Sequence, residues 1–254
     1  MPSALIVHLP HDSTDIPQQF RDQFVLSDEE LAAEVLAMTD AHTAAMFRGI
    51  CPPENEIRAP VSRLLVDVER FADDALEVMA SHGMGVIYTH TSQKLPLRRP
   101  LREGERSLLL SEYYYTHHDR FTRRVADLLK ESGRVLILDA HSFPELPHPS
   151  ALDQSLDRPE ICLGTDAFHT PPQVHDAFFS AFESEGFSVR VDAPYAGAIV
   201  PAVYYRQEAA VSSVMVEVNR RLYMDETDGM RLPGFDSVAE RIRNCCLSAI
   251  QSCG

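Results

Sequence analysis

The stretch Val135-Leu136-Ile137-Leu138-Asp139-Ala140-His141-Ser142 decides the fold class. Four consecutive aliphatic residues without polar alternation indicate a strand buried on both faces, as in a parallel sheet covered by helices. His141 follows the run within three residues. In open α/β sheets ligands lie beyond the carboxyl ends of the strands, so polar residues just after each apolar run are the first candidates for chemistry.

Working outward, Gly133 is placed to end the amphipathic stretch Arg106–Glu131, whose expected core residues are Leu108, Leu109, Tyr113, Phe121, Val125 and Leu128. Ala4–Leu9, Ser62–Val68, Gly85–Thr89, Ile161–Gly164, Phe187–Val191 and Ser212–Val218 read as further strands. Ser27 is an N-cap before Asp28-Glu29-Glu30, and a second helical stretch runs from Thr39-Asp40 to about Arg48, stopped by Pro52-Pro53. Pro172–Glu185 and Phe235–Ser252 complete the helices. Strands alternating with helices predict a single-domain α/β fold over residues 1–254. Its sheet is mostly parallel or mixed, with helices on both faces.

Composition narrows the function. Among 254 residues, 38 are Asp or Glu against 23 Lys or Arg, a net charge of −15 that repels a nucleic-acid backbone. No apolar run is long enough to span a membrane, and the N-terminus lacks the basic segment of a signal peptide. The five cysteines are odd in number and form no CxxC, which argues against a disulfide framework or a cysteine zinc site and for a cytoplasmic protein. No GxGxxG, GxxxxGK[ST] or GxSxG occurs. The expected partner is a small anionic molecule. The sequence carries no signal of oligomeric state.

The strand-end rule selects His11, Arg70, His141 and Asn219-Arg220. Two neutral imidazoles suit a zinc ion, with a carboxylate as third ligand; Asp12, Asp15 and Asp40 all remain open on spacing alone. Glu217, inside an otherwise apolar strand, is costly to bury unless paired or functional, and suits a general base. In Ser62-Arg63 through Asp67-Val68-Glu69-Arg70, the arginines suit a carboxylate or a developing oxyanion. Of His117-His118, one ring is expected to face inward and the other solvent.

Taken in order, Pro10-His11-Asp12-Ser13, Thr39-Asp40, Ser62-Arg63, Asp67-Val68-Glu69-Arg70, Tyr114 to His118, Asp139-Ala140-His141-Ser142, Pro194-Tyr195-Ala196-Gly197 and Glu217 to Glu226 resemble the N-formylglutamate amidohydrolase family, relatives of zinc carboxypeptidases and aspartoacylases. The resemblance implies a zinc-carboxypeptidase-like fold with one Zn²⁺ per chain held by His11, Asp40 and His141. It implies Glu217 as general base and Arg63 as the group polarising the scissile carbonyl. Arg70, Asn219, Arg220, Tyr195 and His118 are implied on the substrate. The implied reaction is hydrolysis of N-formyl-L-glutamate to formate and glutamate. The alternatives are a zinc deacylase for another N-acyl amino acid or small peptide, or a relative that binds a metabolite without turning it over. Ser13, Glu69, His117 and Ala198 depart from the family pattern, Glu69 standing where an asparagine is usual.

Overall fold

Six strands and six α-helices follow one another in a computed structural model that describes residues 4–253; Met1–Ser3 and Gly254, the ends of the expected domain, lie outside the described residues. They are β1 (Ala4–Leu9), α1 (Asp28–Met38), α2 (Thr43–Met46), β2 (Glu56–Arg58), α3 (Glu105–Leu109), α4 (Thr116–Ser132), β3 (Val135–Phe143), β4 (Ile161–Gly164), α5 (Pro172–Ser184), β5 (Val189–Val191), β6 (Val211–Asn219) and α6 (Phe235–Ser252). The sheet order is β2-β1-β3-β6-β4-β5. β2, β1, β3 and β6 run parallel, and β4 turns antiparallel against β6. The sheet is therefore mixed, and every residue of β3 is buried, as its unbroken apolar run predicts.

Side chains alternate between the faces of a strand. One face of the sheet puts Leu5, Val7, Leu136, Leu138, Val214 and Val216 in a core with residues of α2, α5 and α6. The opposite face puts Ile6, Val135, Ile137 and Val211 against Phe121, Val125 and Leu128 of α4. On that second face the row continues with His8, Asp139, His141 and Glu217. Register pairs His8 with Asp139 and His141 with Glu217, so one polar cluster forms at the carboxyl edge of the parallel strands.

Three expectations are corrected. Ser62–Val68 and Gly85–Thr89 are not strands: they are irregular, with turn bonds from Leu65 N–H and Val66 N–H back to the Ser62 carbonyl. They are buried because Leu64, Leu65, Val86 and Tyr88 fill an off-sheet core with Phe20 and Leu109, and apolar content alone does not separate that role from a strand. The long helix over Arg106–Glu131 is interrupted by a π-helical segment, Leu110–Tyr115; Leu108 is exposed, while the other five expected core residues are buried. Asp40 is not in the first turn of a helix. It lies in the turn between α1 and α2, where its N–H donates to the His11 carbonyl at 2.9 Å.

The N-cap of α1 is as read. Ser27 Oγ accepts from Glu30 N–H at 3.2 Å, and the Glu30 carboxylate accepts from Ser27 N–H at 2.8 Å, a closed capping box. Gly133 ends α4 at φ 75°, a left-handed conformation that a side chain would strain. Ser27→Ala is expected to lose about 1 kcal/mol and to lower Tm by ~2–4 °C in a chain of this size. An unchanged thermal melt contradicts the cap's contribution.

Candidate active site

His11 leaves the end of β1, His141 points from β3, and Asp40 is tied to the His11 loop through its backbone. His11 Nδ1 and His141 Nδ1 lie 3.3 Å apart, and Asp40 Oδ2 lies 3.1 Å from His141 Nδ1 and 3.6 Å from His11 Nδ1. A tetrahedral zinc site with bonds of about 2.0–2.2 Å has ligand–ligand edges of about 3.3–3.6 Å. The three donor atoms thus already stand at the spacing of one face of such a site.

The outer partners fix these groups. His11 Nε2 meets Asp67 Oδ1 at 2.9 Å, which leaves Nδ1 free to face the centre. Arg220 donates to Asp40 Oδ1 at 3.1 Å, to the Ala37 carbonyl at 2.7 Å and to Ser142 Oγ at 3.3 Å. Burial by itself raises the Asp40 carboxyl pKa, but the His11 and His141 rings bonded to it hold it well below the usual carboxylate range. Burial and Arg63 oppose protonation of His11, yet Asp67 and Asp40 raise it; His141 rises further against burial because Glu69, Asp139 and Asp40 surround it. The centre is therefore a concentration of carboxylate charge balanced by cations, the electrostatic setting of a metal site.

These groups open on a cavity of about 170 Å³, an amino-acid-sized space, which Arg63, Arg70, Tyr195 and Glu217 also line. Arg63 is clamped through Nε and Nη2 on Asp67 Oδ2 at 3.2 and 2.8 Å, and the same oxygen accepts from Tyr88 OH at 2.6 Å. Arg70 approaches Asp67 Oδ2 only to 3.7 Å, and its Nε has no hydrogen-bond partner. Tyr195 is braced by Arg158, whose guanidinium carbon lies 5.7 Å from its ring centre. Glu217 Oε2 is buried without a partner, and burial lifts its pKa to about 7. A carboxyl poised there exchanges protons near neutrality.

Not every expected residue enters the cavity. Asn219 is fully buried, its amide donating to the Pro159 carbonyl and its oxygen accepting from Arg221 N–H; it shapes the turn after β6. His118 does not reach the cavity, nor does it face solvent as the inward–outward pairing predicts. His118 Nε2 donates to the Val68 carbonyl at 2.9 Å while Tyr114 OH donates to the Arg70 carbonyl at 3.0 Å, so the two side chains hold the peptide on either side of Glu69. Arg220 lines the cavity and donates to Asp40, the Ala37 carbonyl and Ser142. Among groups the sequence reading gave no role, Asp67 was legible as the acid between two arginines and Asp139 as a residue two before His141 on one strand face. Tyr88, His148 and Arg158 carried no local signal.

Fold and site together define an α/β protein with a pocket at the carboxyl edge of a mixed sheet, where histidines and carboxylates, His11, Glu69 and His141 among them, could hold a metal ion. The sequence pattern of the N-formylglutamate amidohydrolase family matches residues 3–224, and the chain belongs to that family. It is 28% identical over 235 residues to N-formylglutamate deformylase of Pseudomonas aeruginosa, covering 87% of this chain and 82% of the relative. The crystal structure of N-formylglutamate amidohydrolase from Ralstonia eutropha JMP134 superposes with a TM-score of 0.84 at 23% identity, over 98% of this chain and 94% of that one. A gene product of Agrobacterium tumefaciens superposes at 0.72 with 20% identity, over 98% and 91% of the two chains. Both structural likenesses speak to the fold.

Proposed function

We propose that this protein is a zinc-dependent amidohydrolase that cleaves N-formyl-L-glutamate to formate and L-glutamate. The observation that carries the reading is the His11–His141–Asp40 triangle, with edges of 3.1–3.6 Å, beside a buried carboxyl whose pKa is about 7. The names of the family and of its Pseudomonas aeruginosa relative supply the substrate.

His11, His141 and Asp40 are the residues that would hold the ion. Bound zinc supplies Lewis acidity and lowers the pKa of water toward about 7. The remaining steps belong to the chain. Glu217 takes up the proton released as water adds to the formyl carbon, and delivers it to the nitrogen as the C–N bond breaks. Arg63, fixed on Asp67, donates to the oxygen that gains charge, while Arg70, whose Nε has no hydrogen-bond partner, takes a substrate carboxylate.

Arg70→Ala is therefore expected to raise KM at least tenfold with little change in kcat, the signature of a lost ground-state contact. An equal fall in kcat with KM unchanged moves Arg70 from binding to the reacting centre. The test of the activity itself is formate release from N-formyl-L-glutamate by the purified protein. Formate and glutamate in equal amounts support the reading, and no release from zinc-supplied protein overturns it.

A further inference from the structure

Across the His141 ring from Asp40 lies a second set of buried donors. His141 Nε2 is 3.1 Å from Asp139 Oδ1 and 3.2 Å from Glu69 Oε2, without hydrogen-bond alignment to either. His8 Nδ1 is 2.8 Å from the same Asp139 oxygen and 3.5 Å from Glu69 Oε1. His8, Glu69 and Asp139 present one ligand atom each within 4.8 Å of one another. Two of these atoms, His141 Nε2 and Glu69 Oε1, are buried with no aligned hydrogen-bond partner.

Hydrogen accounting sharpens the point. His8 Nε2 lies 3.0 Å from His117 Nε2, so one of these two rings donates a hydrogen and the other accepts it. With its hydrogen on Nε2 toward His117, His8 would present the Nδ1 lone pair to Asp139 and Glu69, the form that a cation ligand requires. His8 cannot rotate away, being stacked on Phe121 at 4.9 Å between ring centres. One proton shared between His8 and Asp139 satisfies that pair and leaves His141 Nε2 and Glu69 Oε1 in close contacts without an aligned hydrogen bond, a state buried polar groups rarely keep. A divalent cation engages all four.

We infer that His8, Glu69, Asp139 and Nε2 of His141 form a second divalent-cation site, suited to zinc by its imidazole and carboxylate donors. The gaps of 2.8–3.5 Å between neighbouring donors approach the edges of a tetrahedral zinc polyhedron. His141 is the shared ring, bridging as an imidazolate whose remaining ring proton passes to solvent when the second ion binds, and Glu69 also stands within reach of His11 and His141; in these two respects the inference rests on the proposed reading of the first site. Glu69, at the cavity wall, gives the ion its route in, and the Tyr114–His118 clamp on the flanking carbonyls holds that carboxylate in place.

The test is zinc per chain, measured by elemental analysis after metal-free protein is equilibrated with buffered zinc and desalted, with circular dichroism as the folding control. Wild type is expected to bind two, and His8→Gln, Glu69→Gln and Asp40→Asn one each. Glu69→Gln, at the cavity wall, keeps the test alive if the buried His8→Gln fails to fold. One zinc in wild type that is lost in Asp40→Asn and kept in His8→Gln overturns this inference and leaves the first site standing. One zinc that is lost in His8→Gln and kept in Asp40→Asn supports this inference and removes the first site. Two zincs retained in both His8→Gln and Glu69→Gln place the second ion elsewhere and overturn the inference.

Discussion

Glu217→Gln is expected to lower kcat about 10²–10⁴-fold, because it removes the group that moves the proton while preserving the shape of the strand. The same change should make the metal-free protein more stable at alkaline pH. Burial lifts the folded-state pKa of Glu217 from 4.5 to about 7, so the folded chain holds a proton that the unfolded chain has lost between those values. Stability therefore falls as pH rises through that window, and above about 7 the whole penalty, of order 3 kcal/mol, is present. Thermal melts of chelated wild type and Glu217→Gln should differ by several degrees at pH 8 and converge near pH 5. A variant that keeps more than a tenth of wild-type turnover contradicts the general-base role, and equal melts at pH 8 contradict the burial cost.

His11→Ala is the second large effect. It removes one corner of the ligand triangle and should abolish zinc retention there, with turnover falling by three orders of magnitude or more. Asp67→Asn should act more mildly. Asp67 orients His11 from behind and clamps Arg63, and loss of such an outer partner typically weakens metal affinity about 10–100-fold. Zinc-competition titration and turnover on both variants check the order; an Asp67→Asn loss as deep as that of His11→Ala places Asp67 in the ligand set itself.

The central strands were legible because burial on both faces leaves a distinctive unbroken apolar run: β1, β4 and β6 stand within about a residue of where they read, whereas β3 begins at Val135 as read but continues to Phe143, so that His141 lies inside the strand and not beyond its end. The site was legible where it sits on those strands, as with His11, His141 and Glu217. Segments outside the sheet were misread for a physical reason. Ser62–Val68 is as apolar as a strand because it fills a separate core, yet its polar atoms are satisfied by turns that hydrophobicity does not record. The π-helical segment before α4 likewise leaves no compositional mark, although it lies directly before Thr116 and the His117–His118 pair. The family resemblance implied His118, Asn219 and Arg220 as substrate contacts; Arg220 lines the cavity, whereas His118 and Asn219 do not. Which way a side chain's hydrogen bonds run is decided by neighbours 50 to 180 positions away.

The most direct measurement of the central claim is turnover of N-formyl-L-glutamate by the purified protein before chelation, after chelation and after zinc is restored. The account predicts formate release that vanishes with the chelator and returns with zinc in wild type, but not in His11→Ala. Formate release that persists undiminished in fully chelated protein contradicts it.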